Sequence, residues 1–104
     1  MTIFTKKLLD AVLVTGAGIG FDCNEAKRTF QAFVDGTGAV TATVQVEVSN
    51  DNIHWCETEA GEIELAGTST SSDGFTIDAP WRFARGNVTA ISGTGAAVTL
   101  LMGS

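Results

Sequence analysis

The chain predicts an all-β fold: a two-sheet antiparallel sandwich or jelly roll of about eight short strands with an extended N-terminal arm. Three observations carry that expectation. Over residues 40–49 the chain alternates, with Val40, Ala42, Val44, Val46 and Val48 on one side and Thr41, Thr43, Gln45, Glu47 and Ser49 on the other. A period of two is a strand with one buried and one wet face. The words Gly36-Thr37-Gly38-Ala39-Val40-Thr41 and Gly93-Thr94-Gly95-Ala96-Ala97-Val98-Thr99 repeat each other, and each opens onto a strand pattern. Twelve glycines stand against a single proline, and no amphipathic helix separates the turn signals.

Taken in order, residues 8–14 are apolar on both faces and read as a buried strand or a short helix. Three glycines in Thr15-Gly16-Ala17-Gly18-Ile19-Gly20 break that run. Residues 27–35 form a strand with Phe30, Ala32 and Val34 inward, and Gly36-Thr37-Gly38 turns it into the strand of residues 39–49. Asn50-Asp51-Asn52 is a tight turn of residues that tolerate left-handed backbone angles. Ile53 and Trp55 then share one face of a strand over residues 53–58. Glu59-Ala60-Gly61 turns the chain again, and residues 62–66 alternate with Ile63 and Leu65 inward. The polar stretch of residues 67–74 reads as a surface loop. Phe75 and Ile77 start a strand that Ala79-Pro80 ends, and residues 81–91 and 96–102 make a last hairpin across the second Gly-Thr-Gly. The expected organisation is an arm over residues 1–20 and a β-sandwich domain over residues 21–104.

At 104 residues the chain is one domain with a modest core of its own. Its net charge of -6 and only six lysines and arginines exclude a nucleic-acid partner, which requires a basic footprint to displace counterions from phosphates. No apolar run approaches the length of a bilayer span, so no membrane partner is expected. Lys6-Lys7 before Leu8-Leu9 resembles the start of a secretory signal. Asp10 interrupts the apolar run, no small-residue cleavage site follows, and the segment reads as an arm. Cys23 and Cys56 allow one disulfide at most; without an export signal both are expected as free thiols.

The candidate chemistry is thin. His54 is the single histidine, and beside Asp51 and Asn52 it has the makings of an acid–base site. No serine lies in a nucleophile elbow, so a solvent-facing histidine at a hairpin flank is the expectation. Glu57, Glu59, Glu62 and Glu64 bracket one turn. Glycosidase carboxylates face each other across a cleft, whereas alternate positions on a hairpin lie on its wet face. The glycines of residues 16–20 lack the lysine of a phosphate loop and no helix follows them. Trp55, Trp81 and Phe83 are read chiefly as core plugs, with Trp55 and Trp81 as the alternative ligand-binding residues of an aromatic platform for sugars. No enzymatic activity, metal or cofactor is expected.

Several words in the chain resemble small virion proteins of tailed bacteriophages. They are Arg28-Thr29-Phe30-Gln31-Ala32, Gly36-Thr37-Gly38-Ala39-Val40-Thr41-Ala42-Thr43-Val44 and Val48-Ser49-Asn50-Asp51-Asn52-Ile53-His54-Trp55, continued by Ser72-Asp73-Gly74-Phe75, Ala79-Pro80-Trp81, Arg85-Gly86-Asn87-Val88-Thr89 and Gly93-Thr94-Gly95-Ala96. The family is the decoration, or cement, type that coats a phage head. The resemblance implies a non-enzymatic protein on the outer capsid surface of the virion, assembled in the host cytoplasm. Its partner would be the major capsid protein, whose subunit contacts it stabilises, and it would self-associate as a dimer or trimer. In that role Ile3, Phe4, Leu8, Leu9, Val12 and Leu13 of the arm are the expected capsid-binding anchors. Ser49-Asn50-Asp51 with Trp55 is also similar to a hairpin of discoidin-like carbohydrate-binding domains, with Asn52 where those hairpins carry glycine. That likeness supports the alternative, a carbohydrate- or receptor-binding module of a phage tail or fibre.

Overall fold

The computed structural model describes residues 5–22, 27–78 and 81–103. The fold is all-β and antiparallel. Six strand segments follow one another: β1 (Thr5–Val12), β2 (Gly16–Ala17), β3 (Phe21–Asp22), β4 (Lys27–Ser49), β5 (Cys56–Asp78) and β6 (Phe83–Gly103). They form one hydrogen-bonded sheet in the order β1-β6-β4-β5, with β2 and β3 also paired to β6.

Most of the predicted short strands are halves or thirds of three long ones. β4, β5 and β6 run for 23, 23 and 21 residues. Their middles lie side by side, where the ladder changes register between Asp35 and Ala39 against β5 and between Asp35 and Thr41 against β6. Each strand takes a left-handed backbone angle there: Gly38 at φ 72°, Ser69 at φ 67° and Gly95 at φ 66°. Both Gly-Thr-Gly words are therefore bends inside strands rather than hairpin turns, and the polar run of residues 67–74 lies within β5 rather than in a loop. The reason is physical. An irregular residue with positive φ kinks a strand while its neighbours stay paired, so the sheet bends without ending.

Bending brings the two halves of the sheet face to face. In β4, Phe30, Ala32 and Val34 before the bend and Val40, Ala42, Val44, Val46 and Val48 after it are all buried. One face of the strand thus points inward along its whole length. Ile63 and Leu65 of β5, and Ala84, Val88, Ala96, Val98, Leu100 and Met102 of β6, complete the same core. The halves approach closely: a β-carbon on Gly86 would lie 2.6 Å from Leu100 Cδ2. The chain is 20 Å thick in its shortest dimension, consistent with two β layers about 10 Å apart plus outward side chains.

The outer alternation of β4 departs from the expectation of a wet face. Gln45 and Ser49 are buried, while Thr41 is exposed. The N-terminal segment also differs from a free arm. β1 pairs with β6 from Thr5↔Gly103 to Val12↔Val98, and β2 and β3 continue along the same strand at Gly16↔Val88 and Phe21↔Ala84. Register shifts on either side of Leu9 let two successive side chains, Leu8 and Leu9, both enter the core at 3% and 4% exposure. Of the two expected forms for residues 8–14, the strand is present through Val12. Apolar side chains suited to a partner are equally suited to the chain's own core, and here the core takes them.

Candidate functional site

The loop joining β4 to β5 is fastened by two side chains. Ser49 Oγ donates to Asp51 Oδ1 at 2.8 Å and accepts the backbone N–H groups of Asp51 and Asn52. Asp51 Oδ1 accepts the N–H groups of Ile53 and His54 at 2.9 and 2.8 Å, and Oδ2 accepts from His54 Nδ1 at 2.7 Å. Asn50 Oδ1 ties the loop to the residue just before β6 by accepting the Arg82 N–H. The His54 side chain, the His54 and Ile53 backbone amides and the Ser49 hydroxyl together hold the Asp51 carboxyl well below the usual carboxylate range.

Ser, Asp and His meet in this loop in the wrong order for nucleophilic catalysis. A triad places histidine between the serine and the carboxylate, so that the imidazole takes the hydroxyl proton. Here Asp51 stands between Ser49 and His54. Ser49 is buried and its oxygen is committed to backbone amides, while His54 is exposed. The arrangement orders a turn; Asn52, at φ 61°, completes it.

Trp55 is half-buried beside this loop. The Arg85 guanidinium carbon lies 4.3 Å from the centre of its ring, and Arg85 Nε donates to Glu47 Oε1 at 2.7 Å. Glu47, Arg85 and Trp55 therefore form one stack on the outer face of the sheet, with Gly20 against the edge of the indole. One face of Trp55 is occupied by a cation, so that face is closed to a stacking sugar ring. Trp81, the other alternative ligand-binding residue, packs against the core, and its carbonyl accepts from Arg28 Nη2 at 2.8 Å.

The expected capsid-binding anchors separate into three groups. Ile3 and Phe4 lie outside the described residues. Leu8 and Leu9 are inside the core and so not available to a neighbour in this conformation, and Val12 is half-buried against it. Leu13 is exposed at 64%, and Val14, Ile19 and Ile53 join it at 67%, 73% and 73%. Val14 and Ile19 were not singled out by alternation, because each falls at a break in the pattern rather than on a strand face. Ile53, expected on a strand face with Trp55, projects from the loop instead, since β5 begins only at Cys56.

Of the paired carboxylates, Glu57, Glu62 and Glu64 are exposed, opposite Glu47, Gln45 and Thr43. Glu59 has no described side chain. Of the glycines of residues 16–20, Gly16 pairs with β6 through β2 and the Gly18 N–H donates to the Gly86 carbonyl at 2.8 Å, so both are engaged in the sheet. Cys56 is an exposed free thiol, and Cys23 lies outside the described residues. No cluster of three or more metal-ligating side chains occurs among the described residues.

No protein-family model matches the chain, and no curated protein matches it by sequence. A solved structure does match its backbone: the crystal structure of the SPBc2 prophage-derived protein YomS, with a TM-score of 0.60 over 99% of this chain and 94% of that one. At 12% identity the likeness establishes the shared fold.

Proposed function

We propose that this chain is a non-enzymatic structural protein of a phage particle. It sits on the outer head surface and stabilises contacts between major capsid subunits. The observation that carries the phage setting is the end-to-end backbone likeness to the prophage-derived protein YomS. The head-surface role is supported by the resemblance of the turn-and-strand words to decoration proteins.

The mechanism is additive burial across a seam. A bent sheet with a continuous core is stiff, so it transmits load between two shell subunits rather than deforming. Leu13, Val14, Ile19 and Ile53 are the side chains that gain from contact, each worth about 1.5–3 kcal/mol when fully buried. Leu8 and Leu9 serve indirectly, by anchoring the strand that leads to Leu13. Self-association as a dimer or trimer over a symmetry axis multiplies such contacts. The acidic charge suits the outside of a head, away from packaged DNA. Arg85 over one face of the Trp55 ring counts against the carbohydrate-binding alternative.

Electron microscopy of the intact particle tests this reading. Stoichiometric density for the chain on the outer shell is the expected result, with occupancy reduced by Ile19→Asp and Ile53→Asp. Density in the tail, or full occupancy by the double variant, overturns it.

A further inference from the structure

The whole net charge of the chain resides on one strand. β5 holds six of the twelve carboxylates and no lysine or arginine, so the remaining residues balance six acids against six bases. β5 is also an edge. It pairs with β4 on one side, and nothing among the described residues pairs with the other. The far side of β6, by contrast, is covered by β1, β2 and β3. An uncovered edge presents a row of backbone donors and acceptors at strand spacing, ready to accept another strand. Acidic side chains along it decide which strand is accepted.

An open groove of about 460 Å³ adjoins this edge, lined among others by Thr41, Thr43, Glu64, Ala66, Ser71 and Asp73. It brings two carboxylates, from either side of the Ser69 bend, to one recess. Among the described residues, neither Glu64 nor Asp73 has an ion-pair partner. Glu62, two residues before Glu64 on the same face, adds a third carboxylate at strand period.

We propose that the free edge of β5, from Glu62 to Asp73, receives an extended lysine- or arginine-rich segment of another protein, which adds to the sheet as a further strand. Residues directly opposite on antiparallel strands stand about 4.5–5.5 Å apart, within reach of charge pairing when basic residues alternate at the same period. A basic side chain of the incoming strand enters the groove between Glu64 and Asp73. A second copy of this chain is the wrong occupant: β5 against β5 sets carboxylates near carboxylates across the new seam. The proposal goes beyond the head-surface reading and stands or falls on the purified protein, so the two fail separately.

The test uses the full chain and a synthetic ten-residue peptide alternating valine or threonine with lysine. Amide hydrogen exchange read by NMR is expected to slow over residues 62–73 when the peptide is added. Affinity falls at least tenfold when alternate peptide nitrogens are methylated, and again for the Glu62→Lys, Glu64→Lys double variant. Both substituted positions are exposed, and circular dichroism verifies the fold of that variant. Equal affinity for the methylated peptide reduces the effect to charge attraction and overturns strand addition. Protection confined to other residues, absence of binding at millimolar peptide, or dimerisation through β5 without peptide also overturns it.

Discussion

Thr37 of β4 stands opposite Thr94 of β6. These are the middle residues of the two Gly-Thr-Gly words, so the repeated segments face each other at the corner where the sheet folds. Repetition in the sequence reflects one geometric requirement met twice. Gly38 and Gly95 follow these threonines with φ near 72° and 66°. Ser69 on β5 supplies the third kink at φ 67°.

Substitution at the corner follows from those angles. Gly38→Val and Gly95→Val are each expected to cost on the order of 1–3 kcal/mol, because a β-branched L-residue is strained at positive φ. No neighbouring atom lies within 4 Å of a β-carbon at either position. The penalty is therefore conformational, and D-alanine introduced by chemical synthesis should be tolerated where L-valine is not. Unchanged melting temperatures in both valine variants would contradict the bend.

The N-terminal strand belongs to the folding unit. Leu9→Ala is expected to destabilise the protein by about 2–5 kcal/mol, as for other buried leucines. Removing residues 1–13 strips the edge of β6 and opens the core where Leu8 and Leu9 sat. Thermal melts should show a large loss of stability or no cooperative transition. A truncated chain that melts like the parent would restore the independent arm.

Asp51 makes the loop sensitive to acid. Its folded pKa is depressed, so its stabilising contribution is complete above the unfolded value of about 3.9 and is lost as pH falls through and below that value. Asp51→Asn should flatten the stability profile below about pH 4. Ser49→Ala removes the acceptor of two backbone amides as well as a donor to Asp51, and should cost about 1–3 kcal/mol, most of it persisting below pH 4. Denaturant titrations at stepped pH distinguish the two effects.

Arg85 binds Glu47 and covers Trp55, so Arg85→Ala should do two things at once. Glu47 is left half-buried without its cation, and the indole gains access to water. The expected readouts are a lower melting temperature and a red shift of tryptophan emission with faster quenching by acrylamide. Arg85→Lys should retain part of the stability, since it keeps the charge but not the planar stack. Emission identical to the parent in the alanine variant would count against the stack.

Much of the fold was legible from Val40, Ala42, Val44, Val46 and Val48, because a sheet with one dry face must write its period into the chain. The inward set of Phe30, Ala32 and Val34 was readable for the same reason. The continuity of the strands was not. Gly-Thr-Gly reads as a hairpin turn and as a bulged bend with equal ease, and only the pairing of Thr37 with Thr94 distinguishes them. Residues 67–74 were hidden differently: serines and threonines on an edge strand carry no apolar alternation. At the candidate site, Trp55 and Asp51 were visible as residue types, but the partner of Trp55 was not. Arg85 is thirty residues away along the chain, and its register opposite Glu47 follows only once β4 and β6 are aligned. The charge asymmetry of β5 was available by counting alone, though its meaning required knowing that β5 is an edge.

The pairing of Thr5 with Gly103 bears on how the molecule comes into being. β1 has no mate until β6 is synthesised, and β4 waits equally for β6, its central neighbour. Ladders closed over such long stretches of chain form slowly. A nascent chain ending within β5 would hold β4 and β5 as a bare hairpin with its valine face in water, a species prone to aggregate. Refolding rates should therefore respond more to substitutions along the β4–β6 seam than to any in the β4–β5 loop.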